Sequence, residues 1–530
     1  MIDTFDDLLQ RGLLALQENR TDEAWISARQ LSNEYPDRKE GWRMLGQVNR
    51  HRGEFRTAIR HFEKARNIDS EDPQILVPLA FCYFNRCLIP HSLRILNEIN
   101  LHKSIDGNLV NQIAFLYNLL GEHDNALDLY RQLIDENPGN ANYHFGLGET
   151  LRFFGKFKEA EEQYNSAINI DSHFHAAYFE RSNVTKQTKK CNHTKEIEEL
   201  LETGVRSRRE AAQLFYTLAK EYDDMGESKR AFINMSRAAE AERQESPYDV
   251  NSELKLIEEI IRTFSLDKFP VDSAGFDTCQ PIFVVGLPRT GTTMVERILG
   301  CHSHVYPSGE QLNLIAQLHE QIPGINNNDR QMNFLSSELI HGSLNIEHEK
   351  LGHMYIESLH PRLRKYPHFT DKLPVNYFYI GLIRLALPKA KIVHVTRNPM
   401  DSCLSNFKQW YAHGAHLFSY NLKDLGSYYI AYRTLMEHWH RLFPGKIYDI
   451  SYEMLVNDTE NQVRKLLNYC NLPWESDCLH FQKSTIPTTS RSARQVREKT
   501  YTSSVGAWKR YENYLKPLVE FFRQNGIEVY

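Results

Sequence analysis

Long apolar runs are missing from this chain. No stretch of its 530 residues approaches the roughly 18 to 20 apolar side chains that a bilayer-crossing helix needs, so no membrane span is expected and a soluble protein is. Cysteine is scarce. The eight present include no Cys-x-x-Cys pair, which argues against a disulfide framework and a structural zinc site, and Cys82 and Cys87 are expected to pack within a helix. The first ten residues, MIDTFDDLLQ, carry acids where a secretory signal has a basic segment followed by an apolar one, so the expected location is cytoplasmic. His413 and His416 lack the spacing of metal ligands, and no metal site is expected. What remains, 41% hydrophobic and 25% charged residues, is the composition of a folded protein long enough for two or three domains.

Charge is divided unevenly between the two halves. Residues 1–280 hold 35 basic and 46 acidic side chains, a net of −11, and residues 281–530 hold 28 and 22, a net of +6. A basic C-terminal half suits an anionic ligand, and an acidic N-terminal half suits a basic partner or simply a solvated helical surface. No nucleic-acid partner is expected.

A period of 34 residues runs through the N-terminal half. In the segment beginning at Lys39, Trp42, Leu45, Gly46, Ala58, Phe62 and Ala65 occupy places 4, 7, 8, 20, 24 and 27. Steps of 34 meet Gly12, Ala24 and Pro36, then Tyr83, then Ala114, Tyr117, Ala126, Tyr130 and Pro138, then Gly148, Ala160, Tyr164 and Ala167. This is similar to the tetratricopeptide pattern. Five repeats keep the register, a sixth beginning around Tyr178 is less regular, and a last one, after a short insertion, carries Leu218, Ala219, Tyr222, Ala231, Met235 and Ala238. Each repeat is expected to be two antiparallel helices that approach closely through small residues at places 8 and 20, stacking into a right-handed superhelix whose concave groove suits a peptide or protein. Residues 1–243 are assigned to this array. Residues 244–280, with Pro247, Pro270 and Gly275 around a helical stretch from Ser252 to Phe264, are assigned to a linker.

From residue 281 the pattern changes. The run PIFVV, Gly286, LPRTGTT and a helix through Met294, Val295, Ile298 and Leu299 reads strand, loop, amphipathic helix. Such a loop aims successive backbone N–H groups and a helix N-terminus at one anion, with Gly286 and Gly291 allowing close approach and Thr292 and Thr293 adding hydroxyls. The spacing G-x4-G-T-T equals that of a nucleoside triphosphatase P-loop, but Thr292 stands where that motif has its lysine. ATP or GTP hydrolysis is therefore disfavoured, and Arg289 is the cation within the loop.

The motifs GLPRTGTTMVERIL, SGE (308–310) and VTRNPMDSCLSNF resemble the sulfotransferases that use 3′-phosphoadenosine 5′-phosphosulfate (PAPS), particularly the protein-tyrosine sulfotransferase branch. The resemblance covers residues 281–530 and implies an α/β domain with a central parallel sheet. It implies that Arg289, Thr290, Gly291, Thr292 and Thr293 cradle the 5′-phosphosulfate, with Arg289 beside the transferring group. Arg397 and Ser405 resemble the 3′-phosphate pair; KIVHVT (391–396) reads as a buried strand, and Pro399 opens the helix that carries Ser405. Glu310 resembles the general base and Lys372 the cation on the leaving oxygen. Ser492 resembles a holder of the sulfuryl oxygens. Tyr452, after an expected strand 446–450, and the segment SVGAWK with Trp508 and Lys509 resemble later nucleotide contacts. The implied reaction moves a sulfuryl group from PAPS to an acceptor hydroxyl, with protein tyrosine among the candidates, leaves 3′-phosphoadenosine 5′-phosphate and requires no metal. The competing readings are a repeat scaffold whose C-terminal half binds nucleotide without catalysis, and a Mg²⁺-dependent P-loop kinase.

Overall fold

The computed structural model describes residues 4–101, 105–267, 275–325, 334–411, 415–497 and 504–529. Pro270 of the expected linker and His413 lie outside the described residues. The chain divides into two compact units, Met1–Leu133 with Leu312–Lys365, and Ile134–Gln311 with Tyr366–Tyr530.

In the first unit the helices follow the 34-residue period. They are α1 (Phe5–Gln17), α2 (Thr21–Glu34), α3 (Lys39–Arg52), α4 (Phe55–Ile68), α5 (Pro73–Asn85), α6 (Ile89–Glu98) and α7 (Gly107–Leu119). Next, α8 (His123–Glu136) begins in this unit. The period works because place 8 faces place 24: a Cβ on Gly46 would stand 2.7 Å from the Phe62 ring. The third repeat puts Ala80 and Ser92 at places 8 and 20, and the Ser92 hydroxyl donates to the Ala80 carbonyl at 2.9 Å. Cys82 lies in α5 as expected, but Cys87 follows the helix in a left-handed turn, φ +51°. Its carbonyl accepts from the Asn313 amide at 3.0 Å. Asn313 opens α17 (Asn313–Gln321), which packs on α19 (His348–Ser358); the short α18 (Ser337–Gly342) lies between them in sequence.

The second unit continues the repeats with α9 (Ala141–Phe153), α10 (Phe157–Ile170), α11 (His175–Val184), α12 (Thr194–Thr203), α13 (Arg208–Asp224) and α14 (Ser228–Glu245). Gly148 repeats the arrangement of Gly46, its Cβ position 2.6 Å from the Tyr164 ring. The sixth repeat loses its register for a visible reason. Its helices are ten residues each, and the connection between them is held by buried Glu221 of α13, which accepts from the Ser182 hydroxyl at 2.5 Å and the His193 amide at 2.8 Å. The helical stretch expected in the linker is α15 (Val250–Thr263).

Among the described residues five parallel strands follow: β1 (Pro281–Val285), β2 (Val305–Pro307), β3 (His368–Asp371), β4 (Lys391–Thr396) and β5 (Ile447–Ser451). Their order is β2-β3-β1-β4-β5, with β1 at the centre. The remaining helices are α16 (Thr292–Gly300), α20 (Ile380–Ala386), α21 (Pro399–Phe407), α22 (Leu422–Leu442), α23 (Tyr452–Asn457), α24 (Thr459–Tyr469) and α25 (Glu512–Gln524). On one face of the sheet Ile282, Val284, Val393, Val395 and Ile450 join Val295, Ile298 and Leu299 of α16 and Val463 and Leu466 of α24 in a single core. On the other, α22 reaches the sheet through Tyr432, whose hydroxyl meets His394 Nε2. A parallel sheet with both faces covered is the α/β architecture the motifs implied.

Candidate functional site

In open parallel sheets, loops at the carboxyl ends of the strands carry the binding residues. Here the loop 286–291 follows β1, Glu310 comes three residues after β2, Lys372 directly follows β3, Arg397 directly follows β4, and Tyr452 directly follows β5. Five strands thus deliver five candidate residues to one edge of the sheet.

The phosphate loop is close-fitting. Gly286 has φ +153° and a Cβ there would lie 2.7 Å from the Val395 carbonyl; Gly291 has φ +108° and a Cβ there would lie 2.6 Å from the Tyr452 ring. Arg289 adopts φ +68°, a left-handed conformation costing a non-glycine residue roughly 1–2 kcal/mol. Neighbours hold it there. Arg397 Nη1 donates to the Arg289 carbonyl at 2.9 Å, and the buried Asn406 amide donates to the Pro288 carbonyl at 2.8 Å. The Arg289 guanidinium donates to Ser492 Oγ at 2.6 Å and Gln495 Oε1 at 3.1 Å. Thr290 Oγ1 donates inward to the Leu287 carbonyl at 2.8 Å, and Thr293 Oγ1 and Ser490 Oγ are hydrogen-bonded at 2.9 Å.

The second phosphate motif is built around Arg397. Its guanidinium lies over the Tyr452 ring, 4.7 Å from the centroid, and Nη2 donates to the Ser504 carbonyl at 2.8 Å. The Tyr452 hydroxyl shares a 2.7 Å hydrogen bond with Ser504 Oγ. Asp401 of α21 accepts from the Gly506 and Trp508 amides at 2.6 and 2.9 Å, which fixes SVGAWK against this helix. Arg397 gives its terminal nitrogens to these carbonyls rather than to Ser405, which lies half-buried on the second turn of α21. Trp508 is buried and Lys509 exposed. Arg397 Nε and Trp508 Nε1 are buried without a hydrogen-bond partner, an arrangement that leaves donors for an anionic or polar ligand.

On the acceptor side Lys372 is 2% exposed, which excludes its reading as a surface cation. Its Nζ donates to Glu310 Oε1 at 2.6 Å. Burial would lower the Lys372 pKa, but the carboxylates of Glu310 and Glu296 outweigh it and hold the value above the ordinary one. Glu296 was not legible as a site residue. It is fully enclosed on α16 and accepts from the Gly309 amide at 2.8 Å and from Thr370 Oγ1 at 3.1 Å. Burial pushes its pKa up, against the pull of Lys372. The helix α16 is amphipathic as its pattern suggested, with Met294, Val295, Ile298 and Leu299 in the sheet core, but its polar residues are buried too. Glu296 finds the partners just named, and Arg297 donates to the carbonyls of Ser484, Ile486 and Phe481. A lone acid and base inside MVERIL was the available signal.

Among the described residues His394, His440 and Asp449 also lie together. They are mutually engaged: Asp449 Oδ1 bonds His394 Nδ1 at 2.7 Å and His440 Nε2 at 3.1 Å. The hydrogen bond that His440 donates to Asp449 holds the His440 pKa above its ordinary value.

Residues 281–476 match the sulfotransferase family, and residues 107–172 match the tetratricopeptide repeat. An "Uncharacterized protein" of Aquifex aeolicus is 31% identical over 408 residues, covering 75% of this chain and 52% of that protein. The chain thus spans about half the length of this relative. A "Putative protein-tyrosine sulfotransferase" of Caenorhabditis briggsae is 24% identical over 250 residues, 43% of this chain and 80% of that one. An "Omega-hydroxy-beta-dihydromenaquinone-9 sulfotransferase" of Mycobacterium bovis is 30% identical over 108 residues, 19% of this chain and 28% of that one. The molecule joins tetratricopeptide repeats to a sulfotransferase-family domain.

Proposed function

We propose that the chain is a cytoplasmic PAPS-dependent sulfotransferase acting on an acceptor hydroxyl, with modules at 1–243, 244–280 and 281–530 as repeat array, linker and catalytic region. The observation that carries this reading is the convergence of the Arg289 loop, Glu310, Lys372, Arg397 and Tyr452 at the carboxyl ends of five adjacent parallel strands. The residues fit the donor. The amides opening α16, with Arg289, Thr292 and Thr293, suit the 5′-phosphosulfate. Arg397 with its unpartnered Nε, and Ser405, suit the 3′-phosphate, while Tyr452, Trp508 and Lys509 suit the nucleoside.

Bound PAPS would supply the sulfuryl group and leave as 3′-phosphoadenosine 5′-phosphate. The chain's own part is positioning and electrostatics. Glu310 removes the proton of the acceptor hydroxyl. Lys372, kept cationic by Glu310 and Glu296, neutralises the oxygen that leaves. Its 2.6 Å bond to Glu310 occupies the base, so turning Lys372 toward the donor frees that carboxylate. Arg289 and Ser492 steady the sulfuryl oxygens. Each well-placed donor of this kind is worth about 3–4 kcal/mol of barrier.

For the acceptor, the likeness to proteins described as protein-tyrosine sulfotransferases supports a tyrosine hydroxyl, and the match to a relative described as acting on an omega-hydroxy menaquinone makes an aliphatic hydroxyl the second candidate. The repeats supply a surface suited to a peptide partner.

Calorimetric titration with 3′-phosphoadenosine 5′-phosphate tests the donor site. Wild type is expected to bind and Arg397→Ala to lose at least about 10-fold in affinity, the order expected when a charged hydrogen bond is removed. ATP with Mg²⁺ is expected not to bind. A preference for ATP with Mg²⁺, or no binding of the adenosine bisphosphate by wild type, overturns the assignment.

A further inference from the structure

The segment 484–497 lies between two sets of partners within the second unit. Toward the strands, Ser490 meets Thr293, Ser492 and Gln495 hold the two terminal nitrogens of Arg289, and the Ser484 and Ile486 carbonyls accept from Arg297. Toward the repeats, the Phe153 carbonyl that ends α9 accepts from the Thr488 amide at 3.1 Å and from Arg497 Nη2 at 2.7 Å. Arg491, directly before Ser492, pairs with Glu180 of α11 and lies 5.5 Å from the Phe179 ring centroid. Glu180 is itself buried and backed by Arg152 at 3.7 Å; Arg152 bonds Glu149 at 2.7 Å, and Glu149 accepts from the Tyr164 hydroxyl at 2.6 Å. Tyr164 is the ring that packs on Gly148, so this charged chain is anchored in the repeat register.

No strand pairing ties 484–497 to the sheet. Its grip on Arg289 and Thr293 is made by the side chains of Ser490, Ser492 and Gln495, and such bonds aim a guanidinium only if the backbone behind them is fixed. That backbone is held at its start by Arg297 and at Val496 by the sheet core, and between them, where Ser490 and Ser492 sit, from the repeat side through Thr488 and Arg491. We infer that Glu180 is a positioning residue for the phosphate loop: through Arg491 it holds segment 484–497 in the place from which Ser492 and Gln495 orient Arg289. The fifth and sixth repeats then complete the catalytic unit rather than merely recruiting to it. The inference rests on reading the Arg289 loop as the donor cradle, but its mechanical core can be measured without a ligand.

The experiment is amide hydrogen exchange of residues 286–293 in the full chain, for wild type, Glu180→Gln, Ser492→Ala and the double variant. Glu180→Gln is expected to speed exchange in the loop roughly 10-fold, within the range of coupling between contacting residues, and to leave α24 unchanged. In the Ser492→Ala background the same substitution is expected to add little, because the path is already cut. Binding of 3′-phosphoadenosine 5′-phosphate is expected to weaken by a similar factor in Glu180→Gln. Should that variant not fold, Arg491→Gln removes the same pair from its more exposed end. Unchanged loop exchange, or full additivity of Glu180→Gln and Ser492→Ala, overturns the inference. Failure of wild type to bind the nucleotide overturns the donor reading instead, and the exchange data still decide the role of Glu180.

Discussion

In the first unit, charged side chains of the repeats turn toward neighbouring repeats and toward α17. Lys39 bridges Asp69 and Asp72, Arg66 reaches Glu98, and Arg56 and Arg86 both meet Glu320. In the second unit some still join repeats, as Arg152 with Glu180 and Arg230 with Glu198, but others turn toward the sulfotransferase-family domain. Asp223 takes Lys408, Arg510 and Tyr511, Glu242 takes the Trp410 indole, and Glu180 takes Arg491. Both sets share small residues at places 8 and 20, and Phe62 and Tyr130 in the first unit match Tyr164 in the second at place 24. The periodic positions therefore specify the repeat, and the charges off the period specify what the repeat holds. All the candidate site residues lie in the second unit.

The sharpest way to break this comparison is to remove one acid from each set. Asp223 is 23% exposed with Lys408 at 22%, whereas Asp69 is 40% exposed. Lys408 is buried enough that its pKa falls below the ordinary lysine value despite Asp223. Asp223→Asn leaves that cation facing a neutral amide and is expected to cost about 3 kcal/mol. Asp69→Asn is expected to cost under about 1 kcal/mol, since Lys39 keeps Asp72 and the pair is open to water. Urea midpoints at unchanged m-value check both. Equal losses would mean that the two sets of repeats carry their charges alike.

The shared register can be tested at place 8. Alanine gains about 1 kcal/mol over glycine in a helix, but at Gly46 and Gly148 its methyl would enter the Phe62 or Tyr164 ring, and such overpacking costs about 1–3 kcal/mol. Both Gly46→Ala and Gly148→Ala are expected to lower the melting temperature by similar amounts. A loss in one unit alone would show that close approach of the helices matters only there.

How far the sequence could be read follows the same division. The 34-residue period exposed the helices, and PIFVV and KIVHVT exposed β1 and β4 with their observed bounds, because each is an apolar run between turn residues. Strand β5 falls one residue later than expected, at Ile447–Ser451. The strands β2 and β3, of three and four residues, carry too little apolar pattern to be seen, and their pairing is decided by β1 and by each other. Within the site, residues beside strand ends were legible through family motifs. Glu296, Asn406, Ser490 and Gln495 were not, because each acts through a partner between about 10 and 200 positions away that only the folded chain brings near. Arg491 and Glu180 were equally silent, being ordinary charged residues until the repeats and segment 484–497 meet.

The smallest effect concerns how the first unit holds residues 312–365. Glu122, in the turn before α8, accepts from His360 Nε2 at 2.9 Å and pairs with Arg362. The hydrogen bond from His360, aided by Arg362 and opposed by partial burial, lowers its pKa to about 2. A carboxyl whose folded-state pKa is depressed contributes stability in full above its unfolded value of 4.5 and loses it as the pH falls through its folded value. The first unit is therefore expected to weaken between about pH 4.5 and 2, read as faster exchange of the α7 amides, and Glu122→Gln should flatten that slope. Because the pair is partly open to water, added salt should shrink the difference between wild type and variant. The Glu180–Arg491 pair, whose carboxylate is 7% exposed against 25% for Glu122, should respond less to salt. If the two pairs responded equally, the contrast between a partly open carboxylate in the first unit and a buried one in the second would fail.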